Sequence, residues 1–117
     1  MTADLPAGSL LRNSLLTRVA GDAALASAMT SLFLAECPRL LADVRQSLAA
    51  NDAAALERAA HALRGSVSNF EASAATQAAA RLELLGRTGD LRESTDALHG
   101  LEAELERLLP ALRELIA

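Results

Sequence analysis

Residues 52–70, DAAALERAAHALRGSVSNF, carry the helical pattern on which the rest of the chain is interpreted. In a helix that turns 100° per residue, the apolar residues of this stretch fall within about 40° of one direction. They are Leu56, Ala60, Leu63, Val67 and Phe70. The spacing therefore predicts an amphipathic helix over residues 52–70 whose apolar side faces a core.

The composition of the whole chain favours the same kind of structure. Its 117 residues include 27 Ala and 24 Leu, but only four β-branched aliphatic residues, two Phe and no Trp or Tyr. Such a composition favours helices over strands. With 51% hydrophobic and 22% charged residues, the chain can bury a core, which argues against disorder. We therefore expect an all-α protein.

Glycine, proline and asparagine residues separate five segments with helical patterns. The predicted helices cover residues 9–19, 22–50, 52–70, 73–87 and 90 to the C-terminus. Asp90 and Glu93 have the spacing of a capping box at the start of the last helix, and Pro38 and Pro110 predict bends.

Short connections between these segments predict an antiparallel up-down four-helix bundle with a short extra N-terminal helix. We expect residues 1–20 to form an N-terminal segment with a short capping helix. Residues 21–117 are then expected to form the bundle.

Charge and motif content exclude several classes of function. The net charge is −4, and the eleven cations, all Arg, are spread along the chain without a cluster, which disfavours nucleic-acid binding. No apolar stretch approaches the length of a membrane span, and no signal peptide is recognisable, so a soluble cytoplasmic protein is expected. Cys37 is the single cysteine, which excludes an internal disulfide and a multi-cysteine zinc site. Without Lys or a Gly-rich loop, a P-loop or protein-kinase site is excluded.

The polar side of the third helix carries residues that its helical pattern does not explain. His61 lies about 140° from the apolar direction and is expected to face solvent, with Arg64 one turn later. Gly65 costs about 1 kcal/mol relative to alanine inside a helix, and no apolar position requires it. The missing side chain gives another molecule access to the imidazole, while Arg64 offers planar donors to an anion. Imidazole titrates near neutral pH and is a suitable phosphoryl-accepting nucleophile.

The sequence AHALRGSVSNFEA at residues 60–72, with RLE at 81–83 and GRTGDL at 86–91, resembles a histidine-containing phosphotransfer (HPt) domain. The resemblance extends over roughly residues 21–115. It implies a four-helix bundle in which a histidine accepts a phosphoryl group from a receiver aspartate and passes it to another receiver. The chain is then a phosphocarrier of multistep phosphorelays and has no kinase site of its own.

The resemblance assigns roles to individual residues. His61 is the implied phosphoacceptor, and Arg64 stands where the family usually has Lys. Gly65 matches the small residue of the family, and Arg87 matches a basic residue that lies near the phosphohistidine in some members. Arg64, Gly65, Ser68 and Arg87 are therefore the candidate phosphate-stabilising or docking residues.

Arg64 also changes the geometry of the family's cation, because its guanidinium can bind phosphate with two donors. Ser68 and Glu71 occupy positions where relatives often have Gly. Glu71 places a negative charge where the chain is expected to leave the helix, which affects the turn and the choice of receiver.

The implied partners are response-regulator receiver domains and, in addition, a hybrid histidine kinase. No cofactor is expected in the chain itself, because the Mg²⁺ for transfer belongs to the acidic pocket of the receiver. No metal site, nucleic-acid contact or membrane contact is expected. A monomer is predicted, since one bundle of this length can close its own core.

Other interpretations stay open at the level of sequence. The chain can be the phosphoacceptor domain of a chemotaxis-type histidine kinase, charged by an ATP-binding domain, or a helical adaptor that docks receivers without being phosphorylated. Arg64 can be a solvated charge paired with Glu57 or Glu71. Glu57, one turn before His61, can either support the imidazolium or be an ordinary solvated acid.

Overall fold

The computed structural model describes residues 7–70 and 72–116, and within these ranges the secondary structure is entirely helical. The helices are α1 (Ala7–Arg18), α2 (Ala23–Ala49), α3 (Ala53–Val67), α4 (Ser73–Thr88) and α5 (Ser94–Ile116). A 3₁₀ turn at Ser68–Phe70 continues the path of α3. The all-α fold class predicted from composition is confirmed.

Acidic N-caps set the beginnings of α2 and α3. The carboxylates of Asp22 and Asp52 accept hydrogen bonds from the backbone amides of Leu25 and Ala55, each at 3.0 Å. Each bond satisfies a backbone donor that the first turn of a helix leaves open. Helix α4 stops at Gly89, whose φ of 78° lies in the left-handed region that glycine adopts without strain.

The predicted capping box at the start of the last helix is wrong. Asp90 Oδ1 accepts a hydrogen bond from the backbone amide of Arg92 at 3.2 Å, and the carboxylate also binds the Arg92 guanidinium at 2.7 and 2.9 Å. This local turn occupies the carboxylate that a capping box needs. The helix begins later, at Ser94, whose hydroxyl donates to the carbonyl of Leu91 at 2.5 Å.

The core is built from one stripe of each helix. All five residues that the third segment was expected to bury are at most 1% exposed. Phe70 packs against Phe33 of α2, with ring centroids 5.2 Å apart. Cys37 is buried, and burial raises the pKa of its thiol, as for a small core residue.

Helix α3 packs against both α4 and α2, while α5 packs against α4, α2 and α1. The third helix is therefore held on two sides, and one face is left outward. None of the described helices is long and apolar enough to span a membrane.

The predicted N-terminal segment at residues 1–20 falls partly outside the described residues, because the first six are not among them. The described part forms α1 and the turn that follows. Leu15 of α1 is 2% exposed and belongs to the same core as the other helices. Pro38 and Pro110 both lie inside continuous helices, so the bends predicted there stay predictions.

Candidate functional site

His61 lies on the outward face of α3, with 65% of its side chain exposed. Its Nδ1 atom is 2.9 Å from Oε2 of Glu83 on α4. Glu83 is ionised and its carboxylate can only accept a hydrogen bond, so Nδ1 carries the proton and donates it. The neutral ring then keeps its lone pair on Nε2, and no described residue hydrogen-bonds that atom. An exposed imidazole is thus held in one tautomer with a free nucleophilic nitrogen.

Glu83 is the centre of the site although it is almost completely buried, with 7% of its side chain exposed. Arg64 Nε donates to Oε1 at 2.5 Å, and Arg87 Nη2 donates to Oε2 at 3.2 Å. Burial by itself raises the pKa of Glu83. The hydrogen bonds and positive charges of Arg64 and His61 outweigh this effect and hold the pKa below its ordinary value. The carboxylate is therefore negative at neutral pH.

Arg64 lies against the imidazole as well as against the carboxylate. Its Nη2 atom is 3.2 Å from His61 Nδ1 and 3.5 Å from Glu83 Oε2. Because Nδ1 carries a proton that it donates to Glu83, it cannot also accept one from Arg64. The approach of Arg64 Nη2 to Nδ1 therefore adds no hydrogen bond. The sequence offered Glu57 and Glu71 as partners of Arg64. In the structure Arg64 pairs with Glu83 and not with Glu57, and Glu71 lies outside the described residues.

Arg87 links the site to a second carboxylate. Its Nε atom donates to Glu57 Oε2 at 3.0 Å, while Nη2 reaches Glu83. Glu57 therefore pairs with Arg87 across the α3–α4 interface. No hydrogen bond or ion pair joins Glu57 to His61, although support of the imidazolium by Glu57 requires one. The structure brings His61, Arg64 and Arg87 together around one buried carboxylate.

Two glycines border this cluster in different ways. A Cβ atom built at Gly65 meets nothing within 4 Å, so open space adjoins the turn that follows His61. A Cβ atom at Gly86 lies 2.6 Å from the backbone nitrogen of Glu57 and 2.8 Å from the backbone oxygen of Ala53. Gly86 therefore permits the close approach of α4 to α3 that places Glu83 beside His61.

Ser68 lies at the C-terminal end of α3. Its hydroxyl donates to the carbonyl of Gly65 at 2.8 Å, and this side chain makes no hydrogen bond to the Glu83 cluster. A role of Ser68 in phosphate binding or docking stays a prediction.

A partly apolar surface lies where α2 packs against the C-terminal end of α3. Leu32 is 64% exposed, the largest exposed fraction among the exposed large hydrophobic residues of the described ranges. It lines a small cavity of about 130 Å³ together with Met29 of α2, Ser66 of α3 and Asn69 of the 3₁₀ turn. This surface is open to another molecule.

Glu83 is the site residue that sequence reasoning missed as a functional group. A signal for it exists, because Glu83 falls on the buried stripe of α4. The other members of that stripe are Ala75, Ala79, Leu82 and Gly86. A carboxylate on such a stripe is rare unless it is paired, so its position alone predicts a buried ion pair.

The described ranges contain no group of three or more His, Cys, Asp or Glu side chains that could hold a metal ion. His99, the second histidine, is exposed on α5 and has no hydrogen-bond partner among the described residues.

Comparison with known proteins gives one match. The sequence model of the family described as Hpt domain matches residues 28–111, which include the whole Glu83 cluster. Searches of curated proteins and of solved structures gave no match.

Proposed function

The chain belongs to the Hpt domain family, and on that premise we propose that His61 accepts a phosphoryl group from a receiver aspartate and transfers it to another receiver aspartate. Hpt domains are phosphocarrier modules and are not themselves enzymes. The observation that carries the proposal is the hydrogen bond from His61 Nδ1 to Glu83. It fixes the tautomer in which exposed Nε2 is the nucleophile.

The transfer step follows from this geometry. The Nε2 lone pair attacks the phosphorus of the aspartyl phosphate, the new bond is N–P, and the P–O bond to the aspartate breaks. The aspartate leaves as a carboxylate, and the ring becomes a phosphoimidazolium that keeps its proton on Nδ1. Glu83 balances this positive charge, much as a buried carboxylate supports an imidazolium in hydrolases. Transfer to the next receiver is the reverse of the same step.

Arg64 and Arg87 supply positive charge beside the phosphoryl group. A phosphoryl group adds nearly two negative charges, and guanidinium groups bind its oxygens with well-directed donors. Both arginines are already ordered by Glu83, so their remaining N–H donors can bind the phosphate with little further loss of conformational entropy. The Mg²⁺ that assists transfer is expected in the acidic pocket of the receiver, and this chain is expected to need no cofactor.

The docking surface proposed for the receiver is this partly apolar area, which includes Ser66, the residue after Gly65. Exposed Leu32 and the cavity beside it provide contact area, and the absent side chain at Gly65 allows a close approach to the imidazole. A patch of this limited extent suits a transient complex.

Short turns between α2, α3, α4 and α5 further support the antiparallel up-down order inferred for these four helices.

Phosphorylation by a panel of labelled, phosphorylated receiver domains tests the proposal. We expect acid-labile label on the wild type and on His99→Gln, and none on His61→Gln, because His99 is the matched exposed histidine outside the site. Label on His61→Gln contradicts the assignment. Label that comes only from an ATP-loaded kinase domain supports the chemotaxis-type alternative, and no label from either source on the folded protein supports the adaptor.

A further inference from the structure

Arg58 is a positive charge near His61 that is not balanced within the described part of the chain. It lies on α3 three residues before His61, which places the two side chains one turn apart on neighbouring positions of the helix surface. The residue is exposed, and no hydrogen bond or ion pair joins it to any described residue.

The other arginines around His61 are all paired. Arg64 and Arg87 bind Glu83, and Arg87 also binds Glu57. With Arg58 these five groups comprise three arginines and two glutamates around His61. These five groups together carry one net positive charge, although the chain as a whole carries −4. That excess comes from Arg58.

Arg58 also lines an open groove of about 480 Å³ between α2 and α3. Small side chains, among them Ala59 and Ala62, line this groove and leave the guanidinium accessible. Both carboxylates of the groove are engaged: Asp43 pairs with Arg39 at 3.4 Å, and Asp52 caps α3. An acidic group from another molecule can therefore reach Arg58 without displacing an internal partner.

We propose that Arg58 pairs with an acidic side chain of the receiver that docks over His61, and that this pair accelerates and orients docking. The inference rests on the proposed function. A receiver that binds Mg²⁺ beside its aspartyl phosphate must present carboxylate oxygens there, because these are the ligands that Mg²⁺ prefers. A cation one turn from the nucleophile complements that charge. Complementary charges at the rim of an interface act mainly on the rate of association.

Charge reversal at Arg58 tests this inference, with Arg113→Glu as the matched control. Arg113 lies on α5, is exposed and also has no described partner, so the two variants change the net charge equally. We expect Arg58→Glu to lower the second-order rate constant of phosphotransfer from a phosphorylated receiver about tenfold at low salt, with a smaller effect at high salt. Arg113→Glu should match the wild type, and the first-order rate at saturating receiver should be unchanged in both variants.

Each other outcome speaks against the inference. Equal second-order rates for Arg58→Glu and Arg113→Glu overturn it, as does a loss in Arg58→Glu that is independent of salt and persists at saturating receiver. If the wild type accepts no phosphoryl group from any receiver, the proposed function fails and the inference fails with it. That case is distinct, since the wild type and both variants are then all unlabelled.

Discussion

Gly65 and Gly86 are both glycines inside helices near His61, but they lie on different sides of the site. A methyl group at Gly86 collides with the backbone of α3, whereas a methyl group at Gly65 meets nothing in the described chain. The first glycine is required by the fold. No contact among the described residues requires the second, which is consistent with a requirement set by another molecule. The role of a glycine in a helix is therefore inferred from what a side chain at that position would contact.

The charged groups also differ between a packed interface and an open surface. On the α4 side of α3, Glu83 is 7% exposed and its partners are fixed by the helix interface. On α2, Arg39 pairs with Glu36 and Asp43 on a surface where these side chains are 42–63% exposed. Exposed ion pairs of this kind contribute little to stability. Removing one partner of a buried ion pair destabilises a protein strongly, because the other charge is left buried without a partner.

Replacement of Gly86 should give the largest loss of stability. Gly86→Ala places a methyl group 2.6 Å from the backbone nitrogen of Glu57, so α3 and α4 must separate. We expect the free energy of unfolding to fall by about 3 kcal/mol, as for overpacking against backbone. Chemical denaturation measures this change, with Gly100→Ala on α5 as the control because a methyl group there meets nothing. An unchanged free energy of unfolding in Gly86→Ala contradicts the account of the close approach.

Neutralising the buried carboxylate should have the next largest effect. Glu83→Gln removes the charge that Arg64, Arg87 and His61 share, and we expect a loss of about 2 kcal/mol in the free energy of unfolding. Glu36→Gln removes an exposed partner of Arg39 and should change stability by less than about 0.5 kcal/mol. Equal losses in the two variants, measured by denaturation at neutral pH, show that burial does not distinguish the clusters.

Alanine at the open glycine separates stability from function. Gly65→Ala and Gly100→Ala should both stabilise their helices, each by up to about 1 kcal/mol, because alanine favours helix more than glycine. Only Gly65→Ala should slow phosphotransfer from a receiver, since its methyl group occupies the space beside His61. Denaturation and transfer rates of the two variants provide the test, and equal transfer rates in both exclude a docking role for Gly65.

The smallest effect concerns pH. The pKa of Glu83 lies below its ordinary value of 4.5 in the folded protein, so the unfolded chain binds more protons as pH falls. The stabilisation from ionised Glu83 is therefore complete above about pH 4.5, and it is lost as the pH falls through the lower pKa that Glu83 has in the folded protein. The difference in free energy of unfolding between wild type and Glu83→Gln should shrink across this range. A difference that stays constant or grows on acidification has the wrong sign for a stabilised carboxylate.

Much of the fold was accessible from the sequence because helical periodicity is a local property. Leu56, Leu63 and Val67 are buried as their spacing predicts, and the exposed position of His61 follows from the same wheel. The start of α5 was not accessible, because Arg92 competes for the Asp90 carboxylate that a capping box needs. Local pattern alone does not decide between two hydrogen-bond partners.

The chemistry of the site was less accessible, since it depends on how two helices meet. Glu83 is 22 residues from His61, and their hydrogen bond requires the α3–α4 contact at Gly86. The sequence identified His61 and Arg64 as candidates on one helix. It did not identify Glu83, the carboxylate that fixes the tautomer of His61 and anchors Arg64.

The central claim is that Glu83 holds the proton of His61 on Nδ1 and leaves Nε2 to accept the phosphoryl group. Long-range ¹H–¹⁵N NMR of the wild type, before and after phosphorylation by a receiver, tests it directly. The account predicts a protonated Nδ1 and an unprotonated Nε2 in the neutral ring, followed by phosphorus coupling to Nε2 alone. A neutral ring protonated on Nε2, or a phosphoryl group on Nδ1, contradicts it.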